Sequence, residues 1–206
     1  MTERIVSRAA DYYTRKLAQH GATPKGADWN GLESQHLRFE QLLRACDPSV
    51  PLSINDYGCG YGALVAFLEE SGRSFDYCGY DASAAMVAAA REHVGADPRC
   101  RFTADRTEVT PRSHTVASGI FNVREGTGDL EWWDYIVRTI DDLAELSTAG
   151  FSCNFLTSHS DLDRQRADLY YADPSAVLQH CLRRFPRRVS IVHDYPLYEF
   201  TILVRL

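Results

Sequence analysis

The chain reads as an α/β protein: a mostly parallel seven-stranded sheet with helices on both faces, ending in an antiparallel hairpin and preceded by a helical cap. Three observations predict this. From Leu52 onward, short strand-like runs alternate with helix-like ones. A glycine-rich run from Gly58 to Gly62 stands between the first strand and the helix after it. At the C-terminus two strand-like runs, 187–195 and 198–206, have only Pro196-Leu197 between them. So short a link excludes a helical crossover and makes the pair antiparallel.

The cap comes first. Ile5, Ala9, Tyr12, Tyr13, Lys16 and Leu17 recur at helical spacing, and His20-Gly21 offers a stop. Turn formers fill 21–30, after which Asn30 can cap a second helix with Glu33 as its reciprocal partner. Leu32, His36, Phe39, Leu43 and Cys46 form that helix's apolar stripe, and Asp47-Pro48 ends it. Strands are then expected at 52–57, 75–81, 100–105, 114–123 and 151–159, with helices at 62–72, 83–94 and 129–146 between them. Leu130, Trp133, Val137, Ile140 and Leu143 mark the last of these helices. Asp173-Pro174 begins a further helix, with a capping acid and a proline at its first position. In the final strand, alternation from Tyr198 to Leu206 is interrupted at Leu203. No internal repeat or linker divides the chain, so one domain is expected over 1–206, with a cap at 1–50 and a core at 51–206.

Composition narrows the function. The chain has 206 residues, is 45% hydrophobic and 24% charged, and carries a formal net charge of −6. That balance speaks against a nucleic-acid surface. Arg183, Arg184, Arg187 and Arg188 form the one basic knot, read as a solvated connection. The six cysteines contain no CxxC pair, which excludes zinc ribbons and thioredoxin-type redox motifs. Reduced thiols in apolar segments, and an N-terminus without a leader-like apolar core, suggest a cytoplasmic location. No apolar run approaches the roughly 18 residues a membrane span needs. No cluster of carboxylates or histidines has metal-ligand spacing.

The chemistry concentrates in Asp56-Tyr57-Gly58-Cys59-Gly60-Tyr61-Gly62. Glycines here let the backbone turn tightly and approach a nucleotide-like ligand. An acid precedes the first glycine by two residues. The second strand ends in Asp81, followed by Ala82-Ser83-Ala84-Ala85-Met86, and the third ends in Ala104-Asp105. With the terminal hairpin, this set resembles the class I, Rossmann-like, S-adenosylmethionine-dependent methyltransferases over roughly residues 50–206. The stretches at 28–43, 117–126, 169–185 and 193–205 resemble a group of small bacterial methyltransferases acting on small molecules.

The resemblance implies roles. Gly58, Cys59, Gly60 and Gly62 would lie under the methionine portion and ribose of S-adenosylmethionine, with Asp56 at the amino-acid end. Asp81, beside Ala82, would take the two ribose hydroxyls, and Asp105, beside Ala104, the adenine amino group. Ser118 and Gly119 would border the sulfonium. The acceptor pocket then lies beyond the carboxyl ends of the strands. Asn122 could orient the acceptor, and Arg124 could hold an anionic group on it. His159, with Asp161 close in sequence, is the preferred base. Tyr170 and Tyr171 could wall the pocket, and Tyr12, Tyr13, Trp29 and Arg38 could close over it from the cap. His193 is expected to be structural, at the opposite end of the sheet.

The expected reaction is methyl transfer to an oxygen or nitrogen of a small molecule. Two alternatives stay open. Gly58, Gly60 and Ala63 also fit the dinucleotide fingerprint GxGxxG/A, so a nicotinamide-dependent oxidoreductase is possible, although it predicts a separate substrate domain. A methyltransferase fold that binds ligand without catalysis is the other. The acceptor and the oligomeric state are not legible.

Overall fold

The structure, a computed structural model, describes residues 2–206. Its strands are β1 (Leu52–Tyr57), β2 (Phe75–Tyr80), β3 (Cys100–Thr103), β4 (Arg112–Ala117), β5 (Ser147–Leu156), β6 (Val189–Val192) and β7 (Glu199–Arg205). The helices are α1 (Thr2–His20), α2 (Leu32–Leu43), α3 (Ala63–Glu70), α4 (Ala84–Val94), α5 (Asp129–Glu145) and α6 (Pro174–Arg184). The strands form one seven-stranded sheet in the order 3-2-1-4-5-7-6. β1 to β5 pair in parallel, while β7 is antiparallel to both β5 and β6. The expected architecture is therefore present.

Two apolar cores follow from the two faces of the sheet. On one, Phe151, Cys153, Phe155, Phe200, Ile202 and Val204 pack against α5 and α6. On the other, Leu52, Ile54, Phe75 and Tyr77 meet α2, α3 and α4. No helix among the described residues is long and apolar enough to cross a membrane.

Several boundaries and stripes differ from expectation, each for a local reason. β4 ends at Ala117, because positive φ at Gly119 turns the chain away before Ile120 and Phe121 can extend it. α2 begins after Gly31 with no side-chain cap, so Asn30 does not close it. The buried stripe of α2 is Gln35, Arg38, Phe39 and Leu42, and that of α5 is Trp132, Ile136, Ile140 and Leu143. Leu32 and Leu130, in the first turns, project into solvent. His36, Leu43, Trp133 and Val137 each adjoin a buried residue, and one residue turns a helix by about 100°. In β7, Glu199 through Val204 are buried on both sides, because the strand lies inside the sheet with cores above and below. That is why Leu203 interrupts the alternation.

The link between β6 and β7 is longer than Pro196-Leu197, running from His193 to Tyr198. Because β6 runs parallel to β5, this link stands at the carboxyl end of the sheet, and His193 with it. Its ring lies 6.1 Å from that of His159. The basic knot is a solvated connection on α6 and the turn after it, where Arg184 pairs with Asp141 at 2.9 Å.

Candidate functional site: two clefts with a common wall

The sheet reverses its winding between β1 and β4, and loops leaving adjacent strands there diverge to leave a crevice. After β1 the backbone takes positive φ at Gly58 (86°), Gly60 (55°) and Gly62 (81°). A Cβ at Gly58 would overlap Ile120, and one at Gly62 would press on Ala90, Val94 and Phe102. Gly58 thus serves the cleft, whereas Gly62 lets α3 pack on α4. The backbone N–H groups of Gly58 and Cys59 both donate to the Tyr80 carbonyl, at 2.7 and 2.9 Å. This leaves the Gly60 N–H free to donate to Asp81 Oδ2 at 2.9 Å. Asp81 Oδ1 accepts from the Ser83 N–H at 2.8 Å. The carboxylate is therefore held by two backbone donors with its remaining lone pairs available. Burial pushes its pKa upward, opposed by those two hydrogen bonds.

Asp56, 3% exposed, accepts from the Tyr77 hydroxyl at 2.8 Å. Burial pushes its carboxyl up to about 7, with the Tyr77 bond opposing and the Asp81 charge adding. Asp56, Gly58, Cys59, Gly60, Asp81, Ala82, Ser118 and Gly119 all line one cleft of about 920 Å³. Ser118 Oγ is buried there without a hydrogen-bond partner, a group that solvent does not satisfy. Val6, Ala9, Ala10 and Tyr13 of α1 form the roof. Ala104 and Asp105 do not line this cleft. Asp105 instead caps the turn at Arg106–Glu108, accepting from Thr107 N at 2.9 Å and Thr107 Oγ1 at 2.7 Å.

A second cleft, of about 1190 Å³, shares Tyr13, Ala27 and Trp29 with the first. Its other walls include Arg38, Asn122, Leu156, Tyr171, Leu197 and Tyr198. Trp29 reaches the common wall because the short helix Pro24–Ala27 ends at Asp28 in the left-handed region, and the Trp29 N–H closes on Pro24. Its indole presses on Gly119 so closely that a Cβ there would overlap it. Asn122 is buried, and its Oδ1 has no partner.

Other expected substrate residues are engaged elsewhere. The Tyr12 hydroxyl donates to Asp28 at 2.7 Å. Arg124 pairs with Asp129 and lies 5.9 Å from the Tyr170 ring, which itself packs on Trp132. None of these three lines either cleft. His159 is exposed and outside both clefts, and Asp161 accepts from the Tyr198 hydroxyl instead of from the imidazole. The His159–Asp161 pair expected from sequence is thus not formed.

Besides Arg38, which is paired with Glu199, the cations on the second cleft are Arg164 and Arg166, which sequence reasoning passed over. Their position after β5, in the Asp161–Arg166 run, was the available signal. Arg166 is tied to Asp168 and Asp28, while Arg164 makes only a 3.8 Å contact with its neighbour Asp163. Leu197 and Tyr198 gave no signal, because the turn carrying them was expected at the other end. No group of three or more His, Cys, Asp or Glu among the described residues is placed to hold a metal ion.

A family model described as a methyltransferase domain matches residues 54–145, from β1 to the end of α5. A curated protein of Mycobacterium tuberculosis (strain ATCC 25618 / H37Rv), named "Putative methyltransferase Rv1506c", is 48% identical over 167 residues, covering 79% of this chain and 98% of that protein. Among solved structures, the DhpI–SAH complex aligns with a TM-score of 0.67 at 16% identity, over 98% of this chain and 97% of that one. The N-methyltransferase NodS of Bradyrhizobium japonicum WM9, in complex with S-adenosyl-L-homocysteine, aligns at 0.63 and 16% identity, over 95% and 97%. At these identities the solved structures speak for the fold, and the curated relative carries the family. The oxidoreductase and non-catalytic readings give way accordingly: the chain belongs to the class I S-adenosylmethionine-dependent methyltransferases, enzymes whose cofactor is S-adenosylmethionine.

Proposed function

We propose that the chain methylates an oxygen or nitrogen of a small molecule, with the cofactor in the first cleft and the acceptor in the second. The observation that carries this reading is the common wall. Tyr13 and Trp29 face both spaces, so ligands in the two clefts would meet there, beside Gly119. On this reading the cap (1–50) and core (51–206) work as one unit.

The residues fit the cofactor's chemistry. Asp81, already aligned by Gly60 and Ser83, would accept from the ribose hydroxyls. Asp56 would face the ammonium of the amino-acid end, and Ser118 Oγ would gain a partner near the sulfonium. Ala104 and Asp105 fall outside this assignment. When bound, S-adenosylmethionine supplies a methyl carbon activated by its positive sulfur for in-line displacement. The chain's own work is then alignment and exclusion of water. Asn122 would orient the acceptor through its unpartnered carboxamide, and Arg164 replaces Arg124 as the cation for an anionic group.

No histidine lines either cleft. Glu199 is closed in a buried ion pair, and Asp28 already accepts from Tyr12, Lys16 and Arg166. This favours acceptors whose nucleophile is unprotonated near neutral pH over those needing a strong general base.

The test is calorimetric titration with S-adenosylhomocysteine, using NAD as a parallel control. Acceptors are then screened by S-adenosylhomocysteine release, beginning with small anionic metabolites and nucleotide sugars. Asp81→Asn should weaken S-adenosylhomocysteine binding by about tenfold or more, the loss of a charge-assisted pair of bonds. Asn122→Ala should leave that binding within about threefold while turnover falls by at least about tenfold. Failure of the folded wild-type protein to bind S-adenosylhomocysteine would remove the assignment of the first cleft.

A further inference from the structure

A closed ring of contacts stands behind the common wall and joins segments far apart in sequence. Arg38 on α2 points Nε at both oxygens of Glu199, the first residue of β7, at 2.8 and 3.0 Å, and its Nη2 donates to the same carboxylate. Glu199 Oε2 also accepts from Nδ2 of Asn154 on β5, at 2.6 Å. Asn154 Oδ1 accepts in turn from the backbone N–H of Gly119, at 2.8 Å. Gly119 touches the Trp29 indole, and the Arg38 guanidinium carbon lies 4.1 Å from the Trp29 ring centroid, which closes the ring. Arg38, Glu199 and Asn154 are 6%, 1% and 1% exposed.

A buried ion pair gains little stability over well-packed apolar side chains, because both charges lose their hydration. What it supplies is direction. The guanidinium plane sets the indole it stacks on, and an amide bonded at both ends sets the backbone of Gly119. Those two ring members form the boundary between the clefts. We infer that Arg38, Glu199 and Asn154 are positioning residues, acting through Trp29 and Gly119 to hold the cofactor's reacting end and the acceptor in register. This rests on the two-cleft reading above and deepens it: Arg38, a wall of the second cleft, acts through its neighbours, and Glu199 and Asn154 gain a part in the transfer.

The test uses the full chain labelled with 5-fluorotryptophan. Its three tryptophans give three fluorine signals, and Trp29→Phe assigns one of them. The double variant Arg38→Met/Glu199→Met removes both charges together and keeps the volume. Arg38→Lys keeps the charge but loses the fork and the stack. The expected result is a folded protein with unchanged Trp132 and Trp133 signals and a broadened Trp29 signal that no longer shifts with S-adenosylhomocysteine. With an acceptor from the screen, kcat should fall by about tenfold or more while KM for S-adenosylmethionine stays within about threefold. A sharp, responsive Trp29 signal in either folded variant, or an unchanged kcat, would overturn the inference and leave the ring as packing alone. The ligand-free spectra judge the ring even if the wild type binds no S-adenosylhomocysteine, a result that would count against the two-cleft reading instead.

Discussion

Asp56 shows how one side chain sets function against stability. Its carboxyl, buried beside Asp81, is held up at about 7 in the folded protein, against an unfolded value near 4. Below about pH 4 both states hold the proton and nothing is lost. Between about 4 and 7 only the folded state holds it, so the ligand-free protein loses stability as pH rises, by up to about 4 kcal/mol above pH 7. Asp56→Asn should therefore raise the thermal midpoint at pH 8 and leave it nearly unchanged at pH 4, while weakening S-adenosylhomocysteine binding. Equal midpoint changes at the two pH values would refute the buried-charge account. The glycines around Asp56 were legible in the sequence because the positive φ of a tight turn needs them, and Asp81 because its strand ends there. His159 was not. Its nearness to Asp161 in sequence says nothing about side-chain direction, and the partner that took Asp161 is Tyr198, from a turn the sequence misplaced. The pairing of Arg38 with Glu199 was equally invisible, since only the fold brings α2 onto β7.

At the scale of elements, α1 roofs the first cleft yet is thinly anchored. Ile5 is its only fully buried residue among those described. Val6 packs partly on the same core as Ile5, and most other ties are polar: Arg4–Glu131 at 2.8 Å, Arg15–Glu125 at 3.2 Å, Lys16–Asp28 at 2.7 Å, Tyr12–Asp28 at 2.7 Å, Arg8 to the Glu125 carbonyl, and a Thr14–Ser83 hydroxyl pair at 2.7 Å. Exposed ion pairs contribute at most about 1 kcal/mol each and weaken with salt. Hydrogen exchange should thus find α1 amides opening well before those of β4 and β5, and opening faster still as NaCl rises from about 0.05 to 0.5 M. Bound S-adenosylhomocysteine should slow α1 in particular, because Val6, Ala9, Ala10 and Tyr13 would then gain a surface to pack on. Protection of α1 equal to that of β5 at both salt concentrations would show a fixed roof. The amphipathic period of α1 was readable from sequence, but what it would cover was not. Past Ile5 and Val6, which reach the core, its inward residues Ala9, Ala10 and Tyr13 meet an open cleft instead.

For the whole molecule, strand order determines where chemistry can occur. β1 lies between β2 and β4, so the loops after β1 and β4 diverge at the sheet's centre, and the cap and the β6–β7 turn close the space above them. The alternation of strands and helices made the mostly parallel sheet foreseeable, whereas the order of its strands is set by the packing of the fold. The second cleft was only partly so, because its walls come from α1, the segment before α2, the loops after β4 and β5, and the β6–β7 turn. A ligand bridging so many segments stabilises all of them together. S-adenosylhomocysteine at about 100 times its Kd adds about 2.7 kcal/mol by mass action. For a chain of this length that corresponds to a rise of roughly 5–10 °C in thermal midpoint, with none expected from NAD. The same titration carries a proton signature. If the ligand's ammonium favours the ionised Asp56, binding below about pH 7 must release a proton, and affinity falls by up to about tenfold per pH unit on further acidification. Calorimetry in two buffers of different ionisation enthalpy measures that release directly. A midpoint rise with proton release at pH 6 that disappears in Asp56→Asn would place the ammonium at Asp56. A rise with no release in the wild type would move the ammonium elsewhere in the cleft.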